Sequence, residues 1–235
     1  MKRIFTTLAL SSIFFTSCET LSSLPNALGV TETEAAEGIR QALQQGTSKG
    51  ISVLNVQDGF FGNNAYKLFL PEDAIKIEKT LRTIGMGKQV DRAILQINRA
   101  AEDAVGYATP IFVDAIKEMT IADAINIIRG ENNAATNYFR QKTRDKLIAA
   151  FAPVIDRSLV KLDATRYYTE IVTLYNNIPT TVRKINPDLT TYVVERATMA
   201  LFDQIEKEEA NIRANPAART TEILKKVFGS YRSGY

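Results

Sequence analysis

Residues 90–110 read VDRAILQINRAAEDAVGYATP, and their apolar members recur at a helical period. Val90, Ile94, Ile97, Ala101, Ala104 and Ala108 follow one another at spacings of 4, 3, 4, 3 and 4. Positions so spaced share one face of an α-helix, whereas a half-buried strand would need strict alternation. A face this continuous must be covered by other elements of the chain. Pro110 has no backbone N–H to donate and is expected to end or kink the helix.

The same period extends outward in both directions. Toward the N-terminus, Thr31 is a candidate N-cap with Glu32 and Glu34 behind it, and Ile39, Leu43, Gly50 and Leu54 follow on roughly one face. Pro71, Glu72 and Asp73 read as a first turn; Ala74, Ile77, Leu81 and Ile84 continue it, and Gly85 stops it. Toward the C-terminus, Thr120 and Asp123 form a capping box with Asp in place of Glu, and Gly130 closes that short helix. A long helix is expected over Ala134–Leu162, kinked at Pro153, and Tyr168, Ile171, Tyr175 and Ile178 mark another. Asn186-Pro187 and Asn215-Pro216 each offer a cap followed by a ring at helical φ; the first should start a long helix to about Arg213, the second a last helix ending at Gly229. Only Ala65–Leu70 (AYKLFL) alternates like a strand, with Thr180–Ile185 a candidate extended neighbour. The expected fold is all-α: a single bundle domain of about eight or nine helices over residues 32–229, with at most a minor two-stranded β element.

The N-terminus has a different grammar. Lys2 and Arg3 precede the apolar run Ile4–Phe15, and Thr16 and Ser17 are small residues beside the chain's single cysteine, Cys18. That order is a secretory signal, too short to stay as a membrane span. Phe15-Thr16-Ser17-Cys18 resembles the lipobox of bacterial lipoproteins, which implies cleavage before Cys18 and lipid attachment to it. Residues 1–17 are then the signal peptide and 18–31 a tether, broken by Pro25 and Gly29. Glu19, rather than Asp, follows the cysteine, which by the same resemblance implies the outer membrane, facing the periplasm. With Cys18 acylated no disulfide can form, so stability must come from apolar packing. The tail 230–235 carries Tyr231 and Tyr235 and is expected to be loose.

Three further stretches resemble a known family. They are Asn98-Arg-Ala-Ala-Glu102, Ala135-Thr-Asn-Tyr-Phe-Arg140, and a tail running from Glu208-Glu-Ala-Asn-Ile-Arg213 through Asn215-Pro-Ala-Ala-Arg-Thr-Thr221 to Leu224-Lys-Lys-Val-Phe-Gly229. Phe69-Leu-Pro71 and Gly85-Met-Gly87 agree as well. Together they are similar to the bacterial domain of unknown function 4197 over roughly residues 32–229. The resemblance implies a secreted or lipidated helical protein and carries no established activity.

Composition excludes several chemistries. The chain of 235 residues holds no histidine, and its one thiol is assigned to lipid. Ser-His-Asp and Cys-His mechanisms are therefore excluded, as is a His/Cys zinc site. No Gly-rich phosphate loop or calcium loop is present, so no cofactor or metal is expected. The precursor carries a net charge of +3; the mature chain would hold 27 basic side chains (the 29 of the whole chain less Lys2 and Arg3) against 26 acidic ones. That balance, with no basic run longer than two residues, argues against nucleic acid as a partner.

Carboxylates and arginines remain. Phe202, Ile205, Glu209 and Ile212 follow a 3-4-3 spacing, so Glu209 lies within or beside an apolar face with Arg213 four residues on. Asn98 and Glu102 share a face beside the best apolar stripe, with Arg99 adjacent. Tyr138 and Arg140 add an aromatic surface and a guanidinium. Arg99, Arg140, Arg213 and Arg219 form a candidate anion site, since guanidinium forks suit carboxylate or phosphate. The competing reading of all these groups is a set of interhelical ion pairs that fix the bundle. The first functional expectation is a membrane-anchored envelope protein that binds a partner protein or an anionic small molecule without catalysis. The alternative is a carboxylate hydrolase, perhaps acting on glycan, with Glu209 or Glu102 as general acid.

Overall fold

The computed structural model describes residues 29–71, 74–83, 85–161, 164–177, 184–185 and 188–230. Among these residues nine α-helices succeed one another, and none is in a strand. They are α1 (Glu32–Leu54), α2 (Ile75–Thr83), α3 (Gly87–Val105), α4 (Ala108–Lys117), α5 (Ile121–Arg129), α6 (Ala134–Lys161), α7 (Ala164–Asn176), α8 (Leu189–Ala214) and α9 (Glu222–Ser230), with a 3-10 turn at Pro216–Ala218. The chain is all-α, as its periodicity predicts.

The helix α3 that opened the reading lies at the centre. Val90, Ile94, Ile97, Ala101, Ala104 and Ala108 are all buried. Helix α3 packs against α6 and α8, and α8 packs against α1 and α6, so these four long helices enclose the core. Helices α4, α5 and α9 cover α1, while α2 and α7 cover α3. An aromatic cluster links the layers: Phe112 stacks on Phe139 with ring centroids 5.1 Å apart and meets Phe202 edge-on at 6.3 Å. No helix among the described residues is long and apolar enough to cross a membrane.

Local signals set most boundaries. Thr31 and Glu34 form a reciprocal capping box on α1, and Thr120 and Asp123 form another on α5. Gly130 is the C-cap of α5. Helix α2 ends in a Schellman pattern: Gly85 takes φ 86°, and the N–H groups of Gly85 and Met86 reach the carbonyls of Arg82 and Leu81.

Several expectations need correction. Pro110 does not end the α3 stripe; the break falls at Gly106–Tyr107, and Pro110 sits in the first turn of α4, where no intrahelical N–H is required. The cap of α8 is Asp188, whose side chain accepts from the Thr191 N–H, rather than Asn186. Asn215 and Pro216 start only the 3-10 turn; α9 begins at Glu222, after Thr221 accepts from the Leu224 N–H, and runs through Gly229. Helix α6 spans Ala134–Lys161 with Pro153 inside it on an exposed face, as the sequence predicts for one long helix. The segment Ala65–Leu70 alternates as read, with Tyr66, Leu68 and Leu70 buried, and it pairs with no strand among the described residues. Its partner is the side chain of Asn98, which accepts from the Leu68 N–H and donates to the Leu68 carbonyl, both at 2.8 Å. A primary amide offers the same donor–acceptor pair as a strand edge, so one side chain substitutes for a strand. The signal peptide, Cys18, most of the tether, Glu72, Asp73, Ile84, Leu162, Ile178, most of Thr180–Ile185, Asn186-Pro187 and the tail 231–235 lie outside the described residues.

Candidate functional site

Glu102 is 5% exposed on α3. Its Oε1 accepts from the backbone N–H groups of Phe60 and Phe61, each at 3.1 Å, and its Oε2 accepts from Arg99 at 2.7 Å. Arg99 also donates to Asp58 at 2.8 Å. The Glu102 hydrogen bond, opposed by burial and helped by Asp58, raises the Arg99 pKa further, so the guanidinium stays charged. The group acts as an internal cap for the loop that leaves α1. Two successive amides point at an anion, as they do at a helix N-terminus, and the anion belongs to the protein. Asn55 completes the junction by donating to the Glu102 carbonyl at 2.7 Å. A Cβ on Gly106 would approach Asn55 Oδ1 to 2.9 Å and press on the amide that reaches the Glu102 carbonyl.

Glu209 on α8 repeats the device and is 7% exposed. Its Oε1 accepts from the Ala135 N–H at 3.0 Å and from Arg213 at 3.0 and 2.8 Å. Its Oε2 accepts from the Thr136 N–H at 2.8 Å and the Thr136 hydroxyl at 2.7 Å. Ala135 and Thr136 form the first turn of α6, so a carboxylate from α8 caps another helix across the core. Arg213 also donates to the Ile127 carbonyl near the end of α5 at 3.1 Å, and its guanidinium lies 5.8 Å from the Phe228 ring centroid. Arg219, buried, donates to the carbonyls of Ile212 and Arg213 and closes the C-terminal end of α8. The cavity beside Glu209, lined by Ile39, Leu43, Ile205 and Phe228 among others, measures about 10 Å³, room for one water at most.

The sequence-predicted residues thus fall into several groups. Arg99 and Glu102 pair, as do Glu209 and Arg213, and the two networks share no residue. Asn98 is buried and bound to the segment at Leu68. Arg140 lies at the surface, 3.7 Å from Glu206 and over the Phe202 ring. Tyr138 packs beside Phe139, and burial, with a smaller contribution from Asp123 and Glu118, raises its phenol pKa. The four arginines engage four different sets of acceptors. Among the described residues no three His, Cys, Asp or Glu side chains gather as a metal would require.

An open groove lies elsewhere, between the segment 65–70 and α8. It is lined by Lys67, Phe69, Ile75, Tyr192, Arg196 and Met199, among others, and has a volume of about 610 Å³. Phe69 is 55% exposed, Ile75 43% and Met199 61%, three of the eight large exposed apolar side chains among the described residues. At one end Tyr66 donates its hydroxyl proton to Asp203, and Lys207 binds both at 2.8 Å. Burial, then the bond to Asp203, raises the Tyr66 pKa; the bonds to Asp203 and Tyr66 raise that of Lys207. Burial works against ionisation of Asp203, yet the hydrogen bonds from Lys207 and Tyr66 hold its carboxyl below the usual value. Lys67 and Arg196 differ: neither meets a carboxylate among the described residues. Lys67 lies 4.1 Å over the Phe61 ring and 5.8 Å over Phe69, and Arg196 lies 5.5 Å over Tyr192.

The family model described as a protein of unknown function (DUF4197) matches residues 29–229. The chain belongs to the DUF4197 family. No curated protein and no solved structure matches it. The resemblance read from residues 98–102, 135–140 and the tail 208–229 therefore holds, and the match begins three residues before the expected boundary at 32. The groove of this DUF4197 member was not singled out by the sequence reading. Its signal was present: AYKLFL places Lys67 and Phe69 on one side of an extended segment, and Tyr192, Arg196 and Met199 recur at helical spacing on α8.

Proposed function

We propose that this protein is a lipid-anchored protein of the bacterial envelope whose helical domain binds a partner or small ligand and catalyses no reaction. The observation that carries the binding part is the groove beside residues 65–70, lined by three large exposed apolar side chains and by two cations that meet no carboxylate among the described residues. Soluble domains seldom leave such clusters uncovered without use. The roles of Glu102 and Glu209 point the same way. A general acid must carry a proton and face a substrate; these two carboxylates accept N–H and guanidinium hydrogen bonds inside the core. The anchor part rests on Phe15-Thr16-Ser17-Cys18 and the apolar run before it, with Glu19 favouring the outer membrane, facing the periplasm.

Two measurements test the reading. Cys18→Ser should leave the chain unprocessed or release it from membranes, and should abolish incorporation of labelled palmitate; a processed, membrane-bound variant would refute the anchor. A photo-cross-linking residue at Met199, in living cells, should give a discrete adduct. The same residue at Val160, exposed but outside the groove lining, should not. Equal labelling at both positions would refute a specific binding groove.

A further inference from the structure

The geometry points to a single-chain amphiphile with an anionic head as the occupant of the groove between residues 65–70 and α8. This inference rests on the binding reading above and names the chemistry of the ligand. Three features of the groove carry it.

The first is the state of the backbone. An extended peptide binds an extended segment by adding a hydrogen-bonded strand. Here about half of the segment's backbone polar groups are engaged within the protein. The Tyr66 and Lys67 N–H groups both donate to the Asn63 carbonyl. Leu68 uses its N–H and its carbonyl on Asn98, and the Phe69 carbonyl accepts from the Tyr192 hydroxyl at 3.0 Å. A peptide laid along this wall would meet an interrupted edge, with the N–H groups of residues 65–68 and the carbonyls of Leu68 and Phe69 already bonded, and would bury part of its own amides unpaired, which is costly. A hydrocarbon chain needs no such partners.

The second is the floor. Phe69, Ile75 and Met199 stand into the groove above buried Leu70 and Ala200. Methionine is flexible and polarisable and packs against irregular apolar ligands. The volume of about 610 Å³ falls in the range of small-molecule sites.

The third is charge. Lys67 stands on the extended segment and Arg196 on α8, one cation on each wall. Asp203 is the carboxylate among the described lining residues, and Lys207 with Tyr66 neutralises it. Among the described residues the lining therefore presents a surplus of two positive charges beside an apolar floor. Lysine supplies a point charge and arginine a planar fork, both suited to a carboxylate or phosphate head. The cation–π contacts to Phe61 and Tyr192 hold each stem in place without cancelling its charge.

The test is an equilibrium titration of a fluorescent polyene long-chain carboxylate into the full chain carrying Cys18→Ser. Saturable one-to-one binding is expected. Dodecanoate and dodecyl phosphate should displace the probe, and which of them is tighter identifies the head. Dodecanol should need at least about tenfold more, the loss of ~1.4 kcal/mol expected when a charged head is removed. Lys67→Ala with Arg196→Ala should weaken binding about tenfold or more, and Met199→Asp likewise, with unchanged melting temperatures because all three side chains are at least partly in water. Absence of saturable binding, dodecanol equal to dodecanoate, wild-type affinity in the variants, or binding to phospholipid vesicles alone would each overturn the proposal. The cross-link at Met199 separates the two levels of argument. A discrete adduct in cells without amphiphile binding would overturn the amphiphile and leave the binding groove standing; neither adduct nor binding would overturn both.

Discussion

The Glu209 cap makes the sharpest quantitative prediction. Glutamine at 209 keeps the size of the side chain and turns one acceptor into a donor. In the native arrangement both oxygens face only donors: Ala135 N–H and Arg213 on one side, Thr136 N–H and hydroxyl on the other. The better amide orientation directs its NH₂ toward Thr136, whose hydroxyl can rotate to accept. The Thr136 N–H, buried in the first turn of α6, then loses its partner, which costs ~1–3 kcal/mol. The larger effect is at Arg213. Glu209 and Arg213 are only 7% and 13% exposed at their side chains, so Glu209→Gln leaves a nearly buried guanidinium without a counter-charge. Breaking a buried pair from one side costs ~3–5 kcal/mol, and the two losses overlap rather than add. A total of about 3–5 kcal/mol compares with the ~5–15 kcal/mol of a whole domain. For a domain of this size the melting temperature should fall by roughly 6–20 °C. Circular dichroism at 222 nm during heating and during urea unfolding reads both quantities. The companion variant Arg213→Met should be destabilised too, and the double variant should lose ~1–3 kcal/mol less than the sum of the singles. Glu209→Gln within ~1 kcal/mol of wild type, or strict additivity in the cycle, would refute the capping argument.

Other outcomes follow from the same geometry. Asn98→Leu keeps the volume and removes the three hydrogen bonds of the amide, two to Leu68 and one to the Ile94 carbonyl; hydrogen exchange at the Leu68 amide should accelerate by orders of magnitude while α6 stays protected, and an unchanged rate at Leu68 would contradict the strand-substitute role. Ile97→Asp places a charge at a fully buried position and should unfold the domain or cost several kcal/mol, so a stable, helical Ile97→Asp protein would show that α3 is not central. Asp123 and Asp188 titrate below their usual 3.8, chiefly through hydrogen bonds from Thr120 and Thr191. Their stabilisation is therefore complete above the unfolded value and is lost as pH falls below about 4. Asp123→Ala should lower the urea midpoint at pH 7 and converge on wild type near pH 2; a gap of constant size would argue against an ionised cap.

The helical class was legible because it rests on period. The α3 stripe, the Thr31 and Thr120 caps and the Gly85 stop are local rules with little competition from tertiary context. Boundaries were misread where two local devices competed. Asn215-Pro216 has the composition of a helix start, but Thr221 caps better placed residues, so the Asn-Pro pair nucleates one 3-10 turn. Asp188, three residues before Thr191, supplies the cap of α8. AYKLFL alternates because one side of it is buried; periodicity reports burial and says nothing about what supplies the missing hydrogen bonds. A single asparagine thirty residues downstream does so, a long-range fact invisible in the segment itself.

The site shows where sequence reasoning meets a physical limit. A glutamate beside an apolar stripe with an arginine three or four residues away fits both a catalytic acid and a structural pair, since burial and a counter-charge are common to both. The distinction lies in what the remaining lone pairs meet. At Glu102 they meet the amides of Phe60 and Phe61, and at Glu209 those of Ala135 and Thr136. In each case the acceptor comes from a long central helix and the donors are two consecutive N–H groups of another segment at a turn. Two orphan amides in a dry interior require an anion or an equivalent acceptor, and a lone buried carboxylate requires donors; each cost removes the other. The arginine then balances the charge that this exchange leaves in the core. Such an arrangement stabilises the fold and leaves recognition to surfaces where charges lack internal partners. On the binding reading proposed above, Lys67 and Arg196, each held against an aromatic ring beside exposed Phe69 and Met199, would supply that capacity.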